Sequence, residues 1–320
     1  MRGLLWVTVI LAVLWGGWWV VGSRGVKAAA EGWLAEHGSY EDLTVAGFPN
    51  RFDLTVTGID LADPASGIGW RAPFAQVFAM TWKPWHLIAA LPGGQVFSLP
   101  DGEVTLDGTG MMGSLLLVPG GDMALSEAVV QGAALRLSPG LGVLQGAEKA
   151  VISIRAETGG EHAYRLGLNM QQVQILTDWA TVAGMPGLID EGFVDATATL
   201  SAQIDRHAGQ TQPGLRQLDL AAARLNWGEL HVFAKGALTR DEAGFAAGQI
   251  DIRIENWRLL PPVLVALGLI TEGFAPALTR GFEVMAEEGG DPAVLTLPLI
   301  AKAGRMSLGP LPLGAAPVWQ

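Results

Sequence analysis

The sequence predicts a mainly β (β-rich α+β) protein, in which an N-terminal transmembrane helix precedes an elongated, curved antiparallel β-sheet body with a few helices. Three observations support this prediction: an uncharged apolar run near the N-terminus, short stretches of alternating apolar and polar residues, and glycine- and proline-rich turns between them. Half of the 320 residues are hydrophobic and only 16% are charged. This composition excludes a disordered chain.

The apolar run LLWVTVILAVLWGGWWVV predicts the membrane helix. At about 1.5 Å per residue, its eighteen residues nearly cross a hydrocarbon core of about 30 Å. Tryptophans at its C-terminal end, followed by a basic residue, are typical of a helix end at the lipid–water interface. We assign residues 1–27 to a signal anchor and residues 28–320 to a single periplasmic β-rich domain. The residues that mark the anchor are Leu4, Trp15, Trp18, Trp19, Val21 and Arg24.

A cleaved signal peptide is the alternative, because Arg2 is basic and small residues offer a cleavage site near Ala30. The run is longer than the usual h-region of about 7–15 residues, which favours an uncleaved anchor. Arg24 and Lys27 nearly balance Arg2 and the amino terminus, so the positive-inside rule leaves the orientation open. We prefer a single-pass protein of the bacterial inner membrane with most of the chain in the periplasm, because the body is acidic and lacks cysteine and no second spanning segment appears.

The formal net charge of −11 argues against nucleic acid as a partner. The part of the chain beyond Lys27 is still more acidic, because the first acidic residue is Glu31. Anionic lipid head groups repel such a body, so further contact with a bilayer is expected to be apolar.

Residues 51–63 alternate apolar Phe52, Leu54 and Val56 with polar neighbours, as a half-buried strand does. Two helical interruptions are predicted, Val173 to Ala183 and Leu259 to Glu288, the second broken by prolines. Further strands are predicted at 74–82, 104–106, 115–118, 133–137, 151–156, 164–170, 196–204, 215–225, 229–238 and 249–255.

No motif in the sequence predicts catalysis or cofactor binding. Gly108, Gly110 and Gly113 match G-x-G-x-x-G, but the following residues resemble a strand rather than the helix that a dinucleotide site requires. A glycine-rich hairpin turn is the better interpretation. The five histidines have no metal-ligand spacing, and there is no cysteine. We therefore expect no catalytic residue, no metal site and no cofactor.

Aromatic residues are concentrated in two short segments early in the body, and aromatic clusters often line a ligand groove or a membrane contact. The alternative is an aromatic core with prolines at the ends of edge strands. The candidate residues for a lipid or partner groove are Phe48, Phe52, Trp70, Phe74, Trp82 and Trp85.

The segments GFPNRFDLTVTGIDL, WRAP, WKPWHLIAALPG and GRMSLGPLPLG, with Pro317, resemble a family of uncharacterised, mostly alphaproteobacterial proteins known as a domain of unknown function. The resemblance implies a signal anchor and supplies no catalytic residues. Glycine-bounded hairpins behind a single anchor are more distantly similar to the AsmA-like envelope proteins. That similarity implies a long curved sheet with an apolar groove for lipid or for outer-membrane assembly.

These observations favour a non-enzymatic, membrane-anchored envelope protein whose apolar groove binds phospholipid or shields a hydrophobic partner. A scaffold or assembly factor that binds another envelope protein by strand addition is the alternative. A glycan or lipid hydrolase is less favoured.

Overall fold

The computed structural model describes residues 2–63, 66–208 and 213–319. Within these residues, seventeen strands form one antiparallel sheet, which confirms the predicted β-rich fold. The strands are β1 (Gly38–Ser39), β2 (Asp42–Ala46), β3 (Arg51–Asp63), β4 (Ile68–Met80), β5 (Lys83–Ala90), β6 (Gln95–Leu99), β7 (Gly102–Leu117), β8 (Leu125–Leu141), β9 (Leu144–Ala156), β10 (Ala163–Ile175), β11 (Leu188–Leu200), β12 (Leu215–Trp227), β13 (Leu230–Arg240), β14 (Ala246–Glu255), β15 (Val294–Lys302), β16 (Arg305–Leu308) and β17 (Leu311–Ala315).

The sheet is a meander in which strands pair with their neighbours along the chain. In two places, two short strands lie end to end along one neighbouring strand. β1 and β2 both pair with β3, and β5 and β6 both pair with β4 on one side and β7 on the other. From β7 to β17 every strand pairs with the next one. At about 4.8 Å per strand, a row of about fifteen strands extends over about 70 Å.

A long N-terminal helix, α1 (Arg2–His37), precedes the sheet. Among the described residues it is the one helix long and apolar enough to cross a membrane. Residues 28–37 form the last part of this same helix, and Lys27 Nζ and Glu31 Oε1 pair at 3.7 Å where that part begins. There Leu34 is buried and packs with Ala30 against Leu43 of β2 and neighbouring residues of β3 and β4.

Two further helical regions pack on the sheet: α2 (Thr177–Val182), and a 3-10 turn (Trp257–Leu259) that leads into α3 (Leu260–Ala266) and then α4 (Ala275–Glu288). The predicted helix from Val173 is wrong in its first residues, because 173–175 alternate buried and exposed side chains and complete β10. The prolines of the second region stand in the first turns of α3 and α4, where the missing N–H costs no hydrogen bond. They begin these helices and do not interrupt them.

The G-x-G-x-x-G segment is not the predicted hairpin turn. It lies within β7, where pairing with β8 shifts register between Asp107 and Met112. Gly110 has φ +57°, which glycine adopts without strain. A Cβ at Gly108 would lie 2.7 Å from Leu135 Cδ2, so glycine permits the close approach of the Leu135 side chain.

Candidate functional site

One face of the sheet is apolar along almost its whole length. Residues directly opposite each other on paired strands point to the same face, so the register defines rows across the sheet. Two neighbouring rows contain only apolar residues. The first is Val45, Leu54, Val77, Ala89, Gly113, Val130, Ile152, Leu168, Val194, Ala223, Ala234, Ile252 and Leu297. The second is Phe52, Ala79, Leu87, Leu115, Ala128, Ile154, Leu166, Ala196, Leu220, Gly236, Ile250, Leu299, Leu308 and Leu311.

The opposite face carries charged side chains. Arg155 pairs with Glu127 across β8 and β9, and Arg165 makes two hydrogen bonds to Asp195 at 2.8 and 2.7 Å. The Arg165 guanidinium lowers the pKa of Asp195 below the usual aspartate value, mainly through these hydrogen bonds. These charges are therefore engaged with each other on the polar face.

Helices cover the apolar face at its two ends. At the N-terminal end, the last part of α1 packs over β2 and β3 through Leu34 and Ala30. At the other end, Phe282 and Leu278 of α4, together with α2 and α3, cover β12–β15 in the largest core cluster. Trp257 is fully buried in that cluster and makes an edge-to-face contact with Phe282, with ring centroids 5.9 Å apart.

Between these two ends the apolar face remains open over β7–β9. Val130 is 54% exposed and Ile152 is 56% exposed, although both belong to the first apolar row. Beside them lies a depression of about 240 Å³, which we call the central trough. Its lining residues are Leu91, Gln95, Phe97, Leu106, Met111, Met112, Val130, Gln131, Gly132, Leu135, Ala150 and Ile152.

The buried polar side chain in the trough is engaged in hydrogen bonds. Gln95 is 2% exposed; its Oε1 accepts from Trp70 Nε1 at 3.0 Å, and its Nε2 donates to the Pro92 carbonyl at 3.1 Å. With these hydrogen-bonding atoms occupied, the trough offers a ligand mainly methyl, methylene and thioether groups. Such a surface suits a hydrocarbon chain better than a polar metabolite.

The described residues contain no group of three or more His, Asp or Glu side chains placed to hold a metal ion. Of the carboxylates with lowered pKa values, Glu103 accepts hydrogen bonds from Arg71 and Ser98, and Asp205 accepts the His207 backbone N–H. Each has a structural partner, and neither residue lines the central trough.

The aromatic residues predicted to form a groove lie in different places. Phe48 and Phe52 lie against α1, and Trp82 is at the tip of the β4–β5 hairpin beside them. Trp70 is half-buried and supports Gln95, and Trp85 is half-buried in β5. Phe74 pairs with Thr57 on the face opposite to the apolar rows.

Sequence reasoning missed the trough residues Met111, Val130, Leu135 and Ile152. Their apolar character is visible in the sequence, and Ile152 falls within the predicted strand 151–156, but Val130 lies outside the predicted strand 133–137. The register that makes them neighbours depends on pairing between distant segments, which alternation does not specify.

The fold and the open face define a class: proteins with one candidate membrane helix and a long two-faced antiparallel sheet. The chain belongs to the DUF2125 family, described as an uncharacterized protein conserved in bacteria, over residues 19–317. This confirms the predicted membership of an uncharacterised bacterial family. No curated protein and no solved structure matches the chain significantly.

Proposed function

We propose that this chain is a non-enzymatic, AsmA-like envelope protein of the bacterial inner membrane. In this proposal α1 anchors the chain, the sheet lies in the periplasm, and its apolar face holds lipid acyl chains or shields a hydrophobic partner. The observation that carries the proposal is the pair of apolar rows, which begin beside α1 and remain open at Val130 and Ile152.

The position of the rows favours lipid as the occupant. Phe52 opens the second row and stacks on Trp19 of α1, with ring centroids 6.4 Å apart. A lipid chain that leaves the bilayer beside α1 meets apolar side chains from that point to the central trough. Because the trough is lined mainly by apolar side chains, binding there rests mainly on area buried from water, about 25 cal/mol per Å².

The packing of α1 against the body supports an anchor that stays attached. These contacts lie on both sides of the possible cleavage site near Ala30. Before it, Trp19 contacts Phe48 and Phe52, and after it, Leu34 is buried against the sheet. Removal of the segment before Ala30 would expose Phe52, one of the buried residues of the sheet.

An assembly factor that binds another protein by strand addition is the second candidate. Among the described residues, β17 forms a strand ladder with β16 alone, so its other edge has no partner strand there. Pro312 lies within β17 and lacks a backbone N–H, which weakens this edge as a template for pairing. Strand addition at the β17 edge is therefore less favoured than binding on the apolar face.

Photo-crosslinking in cells tests the proposal and separates the two candidates. A photoreactive amino acid replaces Ile152 in the full chain, and the matched control replaces Val151, its neighbour on the opposite face of β9. We expect lipid adducts at position 152 and few at position 151, as measured by mass spectrometry. A specific protein adduct at 152 would favour shielding of a protein partner, and the absence of any adduct there would contradict the proposal.

A further inference from the structure

Two loops of the body, between β2 and β3 and between β4 and β5, are hydrogen-bonded to the apolar part of α1. Three tryptophans of α1 each donate the indole N–H to a backbone carbonyl of the body. Trp15 donates to Pro49 at 3.0 Å, Trp19 to Arg51 at 2.7 Å, and Trp18 to Thr81 at 3.4 Å. The β2–β3 loop and the β4–β5 hairpin tip are therefore attached to the last turns of the apolar run.

The length of the run determines where the bilayer ends. Trp15 lies six residues before Val21, so the Pro49 carbonyl is level with a point about 9 Å inside the end of the run. If both loops stayed in water, the bilayer would have to end before Trp15. Only residues 4–14, about 16 Å of helix, would then remain for a hydrocarbon core of about 30 Å. The loops must enter the bilayer if α1 spans it.

The side chains at the two tips suit lipid. Phe48 is 62% exposed, Trp82 is 56% exposed, and Met80 beside Trp82 is also exposed. We name Phe48, Met80 and Trp82 the apolar tips. Single exposed apolar residues are ordinary, but these three lie together next to a membrane helix.

The backbone of the tips is largely hydrogen-bonded within the protein, as low-dielectric surroundings require. Thr81 donates both its N–H and its hydroxyl to the Asn50 carbonyl, at 3.0 and 3.2 Å. Asn50 and Arg51 donate their N–H groups to the Gly47 carbonyl at 3.2 and 2.9 Å. The indole N–H groups of α1 donate hydrogen bonds to further carbonyls, including that of Pro49.

The charges near the tips are compatible with insertion at the interface. Arg51 pairs with Asp53 at 2.7 Å, and its guanidinium lies 5.8 Å from the centroid of the Phe78 ring. Lys83 follows Trp82, and a lysine side chain is long enough to place its ammonium group in the head-group region. Tryptophan and phenylalanine next to such basic residues are typical of a lipid–water interface.

We propose that the apolar tips insert into the bilayer beside α1, so that the body has a second, monotopic contact with the membrane that holds the N-terminal end of the sheet at its surface. This proposal rests on the membrane anchoring of α1, which is part of the proposed function. It does not depend on lipid binding in the central trough.

Spin labels measure the depth of the tips, and the natural absence of cysteine makes single labels straightforward. Phe48→Cys and Trp82→Cys are compared with two similarly exposed references. Ile10→Cys lies in the apolar run, and Ile68→Cys lies at the far end of β4, roughly 40 Å along the strand from Met80. The full-length variants are labelled with a nitroxide and reconstituted in phosphatidylcholine–phosphatidylglycerol vesicles.

The measured quantity is the ratio of nitroxide collisions with lipid-soluble oxygen to collisions with a water-soluble nickel chelate. We expect ratios at Phe48→Cys and Trp82→Cys shifted toward that of Ile10→Cys and clearly above that of Ile68→Cys. If the Ile10 label reports lipid but both tip labels match Ile68, tip insertion is wrong and the anchor stands. If the Ile10 label reports water, both the anchor and the insertion fail.

Discussion

Gly22 controls how closely α1 docks on the sheet. A Cβ added there would lie 2.5 Å from Cζ and 3.0 Å from Cε1 of the Phe52 ring. Phe52 is buried, and Trp19 stacks on its ring. Gly22→Ala must therefore either turn the ring out or separate α1 from β3. Gly25→Ala is the matched control, because a Cβ at Gly25 meets no atom within 4 Å.

The two variants share one favourable effect and differ in one unfavourable effect. Alanine stabilises a helix interior relative to glycine by about 1 kcal/mol, and this gain applies to both positions. Overpacking costs about 1–3 kcal/mol, and it applies only at Gly22. The free energy of unfolding of Gly22→Ala should thus be about 1–3 kcal/mol lower than that of Gly25→Ala.

Thermal unfolding of the full chain in lipid nanodiscs, followed by circular dichroism, measures this difference. In domains of about 150–250 residues, 1 kcal/mol corresponds to roughly 2–4 °C in Tm. In a Phe52→Ala background the difference between the two glycine variants should shrink, because the ring that Cβ meets is gone. Equal Tm values for Gly22→Ala and Gly25→Ala would refute the close docking of α1 on Phe52.

Three further predictions concern the sheet and its covering helices. Phe282→Ala should destabilise the protein by about 3–5 kcal/mol in denaturant unfolding, because the ring is fully buried against Trp257, whereas exposed Val284→Ala should change stability by less than about 0.5 kcal/mol. Gln95→Leu should cost about 1–3 kcal/mol by leaving the Trp70 indole N–H unpaired, and Trp70→Phe in the same background should remove most of that cost. The depressed pKa of Asp195 means that its pair with Arg165 stabilises the fold above the ordinary aspartate value of 3.8 and loses this effect as pH falls through the lower folded-state pKa. The wild-type Tm should therefore fall more steeply than that of Arg165→Met across this acidic range, and parallel curves would contradict the pairing.

Much of the fold could be predicted from local patterns. The uncharged run from Leu4 to Val21 predicted a helix long and apolar enough to cross a membrane, and α1 is such a helix. Alternation of apolar and polar residues around Leu54 predicted β3, because such alternation places the apolar side chains on one face of a strand. These signals are carried by neighbouring residues and need no knowledge of the tertiary structure.

The open apolar face could not be predicted in the same way. Val130, Ile152 and Leu168 come from three different strands, and only their pairing places them in one row. The aromatic residues Phe48 and Trp82 were recognisable as unusual, but their level along α1 depends on the Trp15 and Trp18 hydrogen bonds. The sequence shows which residues are apolar or aromatic, but it does not show which of them lie close together in the folded chain.

Fluorescence quenching in proteoliposomes tests whether lipid binds to the apolar face. A fluorophore is attached to Ile152→Cys or to Val151→Cys in the full chain, and the vesicles contain phospholipid with a nitroxide on its acyl chain. The two sites are neighbours in β9 and share their distance from the bilayer, so unequal quenching reports which face holds lipid. We predict stronger quenching at position 152 than at position 151. Equal quenching, or stronger quenching at 151, would contradict lipid binding on the apolar face.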